Sequence, residues 1–120
     1  MMALLMGLKS ISASELYSLV RTGAVTVFDV NPTQSWQQAH VPGARHLDPL
    51  SYRESDLPRD KAAPLVFYCS NFMCRKAPNA ARRAKELGYS DVRVLSAGIS
   101  GWLGAGLPTE GGEAAAVASA

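Results

Sequence analysis

Pro64-Leu65-Val66-Phe67-Tyr68-Cys69-Ser70-Asn71-Phe72-Met73-Cys74-Arg75 carries an apolar run into a thiol and a short loop that ends on a cation. The run predicts a buried strand over 65–68, with a tight turn after it. A strand that delivers cysteine into a tight turn facing a cation makes a reactive thiol, because thiolate formation needs positive charge or oriented amides nearby. The competing reading of Cys69 is a small buried apolar residue at a strand end, a common place for free cysteine.

Downstream, Ala80, Ala81, Ala84 and Leu87 share one helical face while Arg82, Arg83, Lys85 and Glu86 fall elsewhere, so a helix is expected over 78–87. Pro78 suits its first turn and Gly88 its end. Residues 91–95, Asp-Val-Arg-Val-Leu, read as a further strand, and 98–103 as a short helix before the turn Gly106-Leu107-Pro108. Upstream, Ser12 and Glu15 form a capping pattern ahead of Leu16, Leu19 and Val20, and Gly23 ends that helix. The β-branched run 25–30 predicts a buried strand with Asp29 near its end, followed by a short helix over 35–39 and the turn Pro42-Gly43. A short strand is expected at 44–47, then a polar connection over 48–61 containing Pro49 and Pro58. Strands alternating with helices imply an α/β fold whose parallel sheet is covered on both faces.

The 120 residues suit one domain with its own core. Residues 1–10 form an N-terminal segment and a candidate first strand, 11–109 the domain, and 110–120 a low-complexity tail expected to be disordered. With 48% hydrophobic and 18% charged residues, the composition is that of an ordinary globular domain. A net charge of +2 is too small to imply nucleic acid. Five cations against Glu86 give residues 75–86 a net +4, leaving the remainder at −2. Arg82, Arg83 and Lys85 read as a solvated helix face, whereas Arg75 and Lys76 lie closest to Cys69. Two cysteines spaced Cys-x4-Cys are no disulfide framework, so a reducing, cytoplasmic compartment is expected. The apolar start Met1-Met2-Ala3-Leu4-Leu5-Met6 lacks a preceding basic residue and a small-residue cleavage site, and is far short of the ~20 apolar residues of a membrane span. Neither a signal peptide nor a membrane association is expected.

In open α/β sheets, ligands sit beyond the carboxyl ends of the strands, which is where Cys69 falls. The loop 70–76 can turn successive amides toward a common centre, and the helix beginning near 77–78 adds its unpaired first-turn N–H groups and the positive end of its dipole. An anion there would be stabilised, and the planar fork of Arg75 can hold an oxyanion while favouring the Cys69 thiolate.

Three segments in order resemble the rhodanese-like superfamily. They are Phe28-Asp29-Val30 with Trp36 and His40-Val41-Pro42-Gly43-Ala44; Tyr68-Cys69 through Arg75; and Val94-Leu95-Ser96-Ala97-Gly98 with Trp102 and Gly106-Leu107-Pro108. The resemblance implies a three-layer α/β domain with a central, mainly parallel sheet of about five strands. It further implies a sulfurtransferase with no cofactor. Cys69 would attack the outer sulfur of thiosulfate or a related donor and carry it as a persulfide, with Ser70, Asn71, Phe72, Met73, Cys74, Arg75 and Lys76 forming the anion-binding loop. A thiol or protein acceptor would then remove the sulfur.

The loop departs from the usual Cys-x-x-Gly-x-Arg pattern: it has no glycine, places its arginine one residue later and follows it with Lys76. Cys-x5-Arg is the spacing of the related dual-specificity phosphatases and arsenate reductases, which keeps phosphate or arsenate chemistry as the main alternative. Against it, Tyr68 stands where those phosphatases place histidine, and Lys76-Ala77 follow Arg75 where many use a hydroxyl. A non-catalytic binding or redox-sensing module is the third reading.

Cys74 is a candidate resolving thiol: it could attack a persulfide, sulfenic acid or arseno-adduct on Cys69 and close an intraloop disulfide. A packing role beneath the loop is the equal alternative, since spacing does not set disulfide geometry. No metal is expected, because Cys-x4-Cys with His40 and His46 lacks a four-ligand pattern. His40 is expected to hydrogen-bond the chain around its turn, and Trp36 and Trp102 to pack. Asn31, Ser35 and Ala39 replace the arginine, glutamate and glycine the family often has, so its structural ion pair is expected to be missing. Asp29 reads as a connection-anchoring carboxylate that could orient the active loop. Phe72 and Met73 are expected to pack against the neighbouring connection, with docking of a partner as the alternative.

Overall fold

A computed structural model describes residues 8–111. Five strands, β1 (Lys9–Ser10), β2 (Thr26–Asp29), β3 (Arg45–His46), β4 (Leu65–Tyr68) and β5 (Val92–Val94), form one sheet in the order β1-β5-β4-β2-β3. Every pairing is parallel. Helices α1 (Ala13–Thr22), α2 (Thr33–Gln38), α3 (Lys76–Glu86) and α4 (Gly98–Gly104) connect them, and a short 3-10 turn at Glu54–Asp56 interrupts the long polar connection. The expected α/β architecture is therefore present, with β4 at its expected limits and β2, β3 and β5 one residue inside theirs at each end.

Local chemistry explains the elements. Ser12 accepts the Glu15 amide and Glu15 reaches back to the Ser12 amide, closing both ends of a capping box on α1. Gly23 ends that helix at φ 68°. In β4 all four residues are buried, as a central strand covered on both faces requires.

The pleat then sorts neighbours onto opposite faces. Leu65, Phe67 and Cys69 join Phe28 and the alanines 77, 80, 81 and 84 of α3, whose small side chains let the helix lie close to the sheet. Val66 and Tyr68 join Val27, Leu16 of α1, Leu95 and Trp102 of α4 on the other face. Each buried Phe or Leu contributes about 1.5–3 kcal/mol to this arrangement. Cys69 thus follows the central strand on the α3 side.

Beyond the sheet, His40 and Glu110 form an isolated antiparallel bridge through reciprocal backbone bonds of 2.9 Å. Glu110 is therefore held, in contrast to the expectation for the start of the tail. The remainder of that expectation, and most of the 1–10 segment, lies outside the described residues.

Candidate active site

β2 leads outward to β3, whereas β4 leads the other way to β5, so the strand order reverses between β2 and β4. That reversal, at the carboxyl ends, is where a crevice opens in sheets of this kind. A cleft of about 330 Å³ lies there, lined among others by Val30, Asn31, Asp48, Lys76 and Asn79. Cys69, at the end of β4 and only 2% exposed, does not line it; Lys76 is the residue of the loop that does.

Asn71 shapes the loop. Its side-chain oxygen accepts the Met73 amide at 2.9 Å and its carbonyl accepts the Cys74 amide at 3.1 Å. This turn throws the tip outward, leaving Phe72 75% and Met73 73% exposed, and brings Cys74 back against the core that holds Cys69. The expectation that Phe72 and Met73 pack on a neighbouring connection is thereby corrected.

Cys74 packs against the core cluster that contains Cys69. The Ser70 amide reaches both; the Ala77 amide reaches Cys69 and the Lys76 amide reaches Cys74. Lys76 and Ala77 open α3, and Pro78 has no N–H, so the free amides of this helix start both point at sulfur. Burial pushes the Cys69 thiol up to about 12, and Cys74 adds to the rise while the Ala77 and Ser70 amides oppose it. Half-burial also acts to raise Cys74, but the Cys69 thiol and the Lys76 and Ser70 amides outweigh it and the net shift is downward. Burial thus disfavours the thiolate of Cys69 more than that of Cys74.

The leading influences on Cys69 are burial, Cys74 and the Ala77 and Ser70 amides. Arg75 is the exposed N-cap residue of α3, makes no ion pair among the described residues, and is not among the groups that set Cys69. Its backbone closes the loop while its side chain lies in solvent. Ser70, Asn71, Cys74 and Lys76 do gather around or shape the thiol pair.

Two supports were not legible as such. Ile99 and Ser100 of α4 donate to the carbonyls of Cys69 and Ser70 at 2.9 and 3.0 Å, spending first-turn amides on the loop. Gly98 makes this approach possible: a Cβ there would stand 2.6 Å from the Ser70 carbonyl carbon, and its φ is +66°. Only the quoted segment Ser96-Ala97-Gly98 hinted at it. On the other face, the Tyr68 hydroxyl donates to Asp29 at 2.6 Å and accepts the Val41 amide at 3.0 Å, while Asp29 also accepts the Asn31 amide at 2.8 Å. Asp29 is fully buried, and desolvation raises its pKa against the opposing Tyr68 and Asn31 hydrogen bonds. It anchors β2 and, through Tyr68, the residue before Cys69.

The remaining polar residues are structural. His40 meets the Trp36 carbonyl through Nδ1 at 2.6 Å and stacks on the Trp36 ring at 4.4 Å. His46 Nε2 meets the Asn31 carbonyl at 2.7 Å. Trp102 is buried and donates to the Pro108 carbonyl at 2.7 Å. Among the described residues no helix is long and apolar enough to cross a membrane.

The rhodanese-like domain profile matches residues 12–105, which contain every strand from β2 to β5 and the whole loop. The chain belongs to the rhodanese-like domain family. Its rhodanese-like sequence is 33% identical over 94 residues to thiosulfate sulfurtransferase GlpE of Ectopseudomonas mendocina, covering 78% of this chain and 84% of that protein. It is 35% identical over 105 residues to the HTH-type transcriptional regulator Rv0324 of Mycobacterium tuberculosis, covering 86% of this chain. The chain spans only 45% of that regulator's length. The rhodanese-like fold superposes on the BH2092 protein from Bacillus halodurans with a TM-score of 0.78 at 24% identity, covering 86% and 77% of the two chains.

Proposed function

We propose that the chain is a sulfurtransferase in which Cys69 accepts a sulfane sulfur from thiosulfate or a related anionic donor, carries it as a persulfide and yields it to a thiophilic acceptor. The observation that carries this reading is the convergence of the Ser70, Lys76 and Ala77 amides on the sulfur pair at the end of the central strand. Those dipoles favour the thiolate that attacks and the persulfide anion that results. Lys76 and Asn79 line the adjacent cleft, which suits the approach of a small anion, and exposed Arg75 adds positive potential. Phe72 and Met73 at the rim suit contact with a protein acceptor.

The sulfurtransferase name carried by the GlpE relative points the same way. Phosphoryl or arsenate chemistry asks for a ring of amides closed by Arg75, whereas here the Met73 and Cys74 amides are spent on Asn71. A pure docking module has no use for converging amides. Two free thiols suit a reducing compartment such as the cytoplasm.

Incubation of the reduced protein with thiosulfate should release sulfite, and in Cys74→Ser the transferred sulfur should remain on Cys69 by intact-protein mass spectrometry. Cys69→Ser should abolish thiocyanate formation from cyanide. Failure of both wild type and Cys74→Ser to release sulfite or gain sulfur with any sulfane donor would rule the reading out.

A further inference from the structure

Cys69 is 2% exposed, and a persulfide on it would project into a loop that Cys74 already occupies. A bulky acceptor reaches that sulfur only after the loop opens. Cys74 needs no such movement: it is half-buried, packs against the same core cluster and shares the Ser70 amide with Cys69. Cys74 packs on the cluster that contains Cys69, and the Lys76 and Ala77 amides of the α3 start bear on the pair, so the two thiols are neighbours. The Asn71 turn fixes this return of the chain.

We propose that Cys74 is a second catalytic residue, which attacks the inner sulfur of the Cys69 persulfide, expels the outer sulfur as hydrosulfide and closes a Cys69–Cys74 disulfide that a dithiol reductant reopens. This rests on the reading of Cys69 as the sulfur carrier. An attacking group already in contact replaces an encounter with an external acceptor by an intramolecular step, an advantage that reaches about 10⁵ M in effective concentration where alignment is good.

The steps balance when the reacting pair carries one proton. Cys74 thiolate first takes the proton from Cys69. The Cys69 thiolate then forms a bond to the outer sulfur of thiosulfate as the sulfur–sulfur bond of the donor breaks, and sulfite leaves with the electron pair. The persulfide anion takes the proton back from Cys74, and Cys74 thiolate forms the disulfide while the outer sulfur departs with the proton and the bonding pair. The sulfane sulfur is thereby reduced by two electrons and the two cysteines oxidised by two. Two thiolate attacks by the dithiol restore the cysteines and leave the reductant as its disulfide.

Reduced protein, freed of reductant, should be mixed with thiosulfate and quenched in acid. Wild type should release one sulfite and one hydrosulfide per chain, lose two hydrogens in mass, and yield a peptide cross-linked between Cys69 and Cys74. Dithiothreitol should convert this single turnover into continuous hydrosulfide release. Cys74→Ser, and Cys74→Ala as a second replacement, should release sulfite, retain the extra sulfur on Cys69 and give no hydrosulfide. A wild type that holds a stable persulfide with Cys74 free, or that carries the sulfur on Cys74, overturns the proposal. If neither wild type nor variant releases sulfite or gains sulfur, the carrier reading fails and takes the proposal with it. The wild-type cross-link decides the matter even if both variants misfold.

Discussion

Gly98→Ala tests whether the C-terminal helix holds the active loop in place. The new Cβ would lie 2.6 Å from the Ser70 carbonyl carbon and 2.7 Å from both the Asn71 nitrogen and the Cys69 oxygen. Reaching the 3.4 Å of ordinary contact requires a shift of about 0.8 Å, and all three neighbours are backbone. Overpacking of this kind costs ~1–3 kcal/mol. The left-handed φ of +66° adds ~1–2 kcal/mol for an L side chain. A total of about 2–5 kcal/mol is a large part of the 5–15 kcal/mol typical of a domain, and corresponds to a fall in melting temperature on the order of 8–20 °C. A displacement of this size at the nucleophile should also slow sulfur uptake by roughly 10–100-fold. Tryptophan-monitored urea melts and timed mass spectra after thiosulfate addition read the two effects. Gly104→Ala, in the same helix and with nothing within 4 Å, is the control expected to leave both unchanged or gain slightly in stability. If Gly98→Ala matched that control in stability and uptake, the wedge between α4 and the loop would have no energetic content.

Tyr68→Phe leaves a buried carboxylate oxygen and a buried amide without their partner, at about 1–3 kcal/mol each, so a loss of roughly 2–6 kcal/mol is expected in urea unfolding. A loss below about 0.5 kcal/mol would place this pair with inconsequential surface contacts. Asp29 has a pKa raised above its ordinary 3.8, so its stabilising contribution is fully present below that value and is lost as pH rises through the folded-state value. Wild type should therefore lose stability relative to Asp29→Asn as the pH climbs through this window, and parallel stability curves would contradict the burial argument. Limited iodoacetamide near neutral pH should label Cys74 ahead of Cys69, because the more accessible sulfur is also the one whose thiolate is favoured. Peptide mapping that finds Cys69 alkylated first would reverse the assignment of charge within the pair.

What the amino-acid order made legible was local. Continuous apolar or β-branched runs located β2, β4 and β5, and the Ser12–Glu15 pair and Gly23 marked α1 to within a residue. Asp29 as an anchor and His40 as a backbone partner followed from residue type and spacing, whereas spacing alone left the relation of Cys74 to Cys69 open. What escaped depended on distance or on competition. Gly98 stands 28 residues after Ser70, and nothing within its own segment announces which carbonyl it must clear. The activation of Cys69 by Arg75 was inferred from proximity in sequence, yet an N-cap side chain is free to leave for water, and it does. Positive neighbours and amides argued for a Cys69 thiolate, but the closed loop removes that sulfur from solvent and desolvation outweighs them.

The sheet order also has a temporal side. β5 must appear before β1 can pair with it or β4 gain its second neighbour, and α4 follows β5. A growing polypeptide that has emerged only through Glu86 therefore already displays both cysteines while lacking Gly98, Ile99 and Ser100, the residues that fasten the loop. During synthesis the dithiol is exposed to whatever oxidants or electrophiles the ribosome's surroundings contain, and its shelter is among the last parts of the domain to be made.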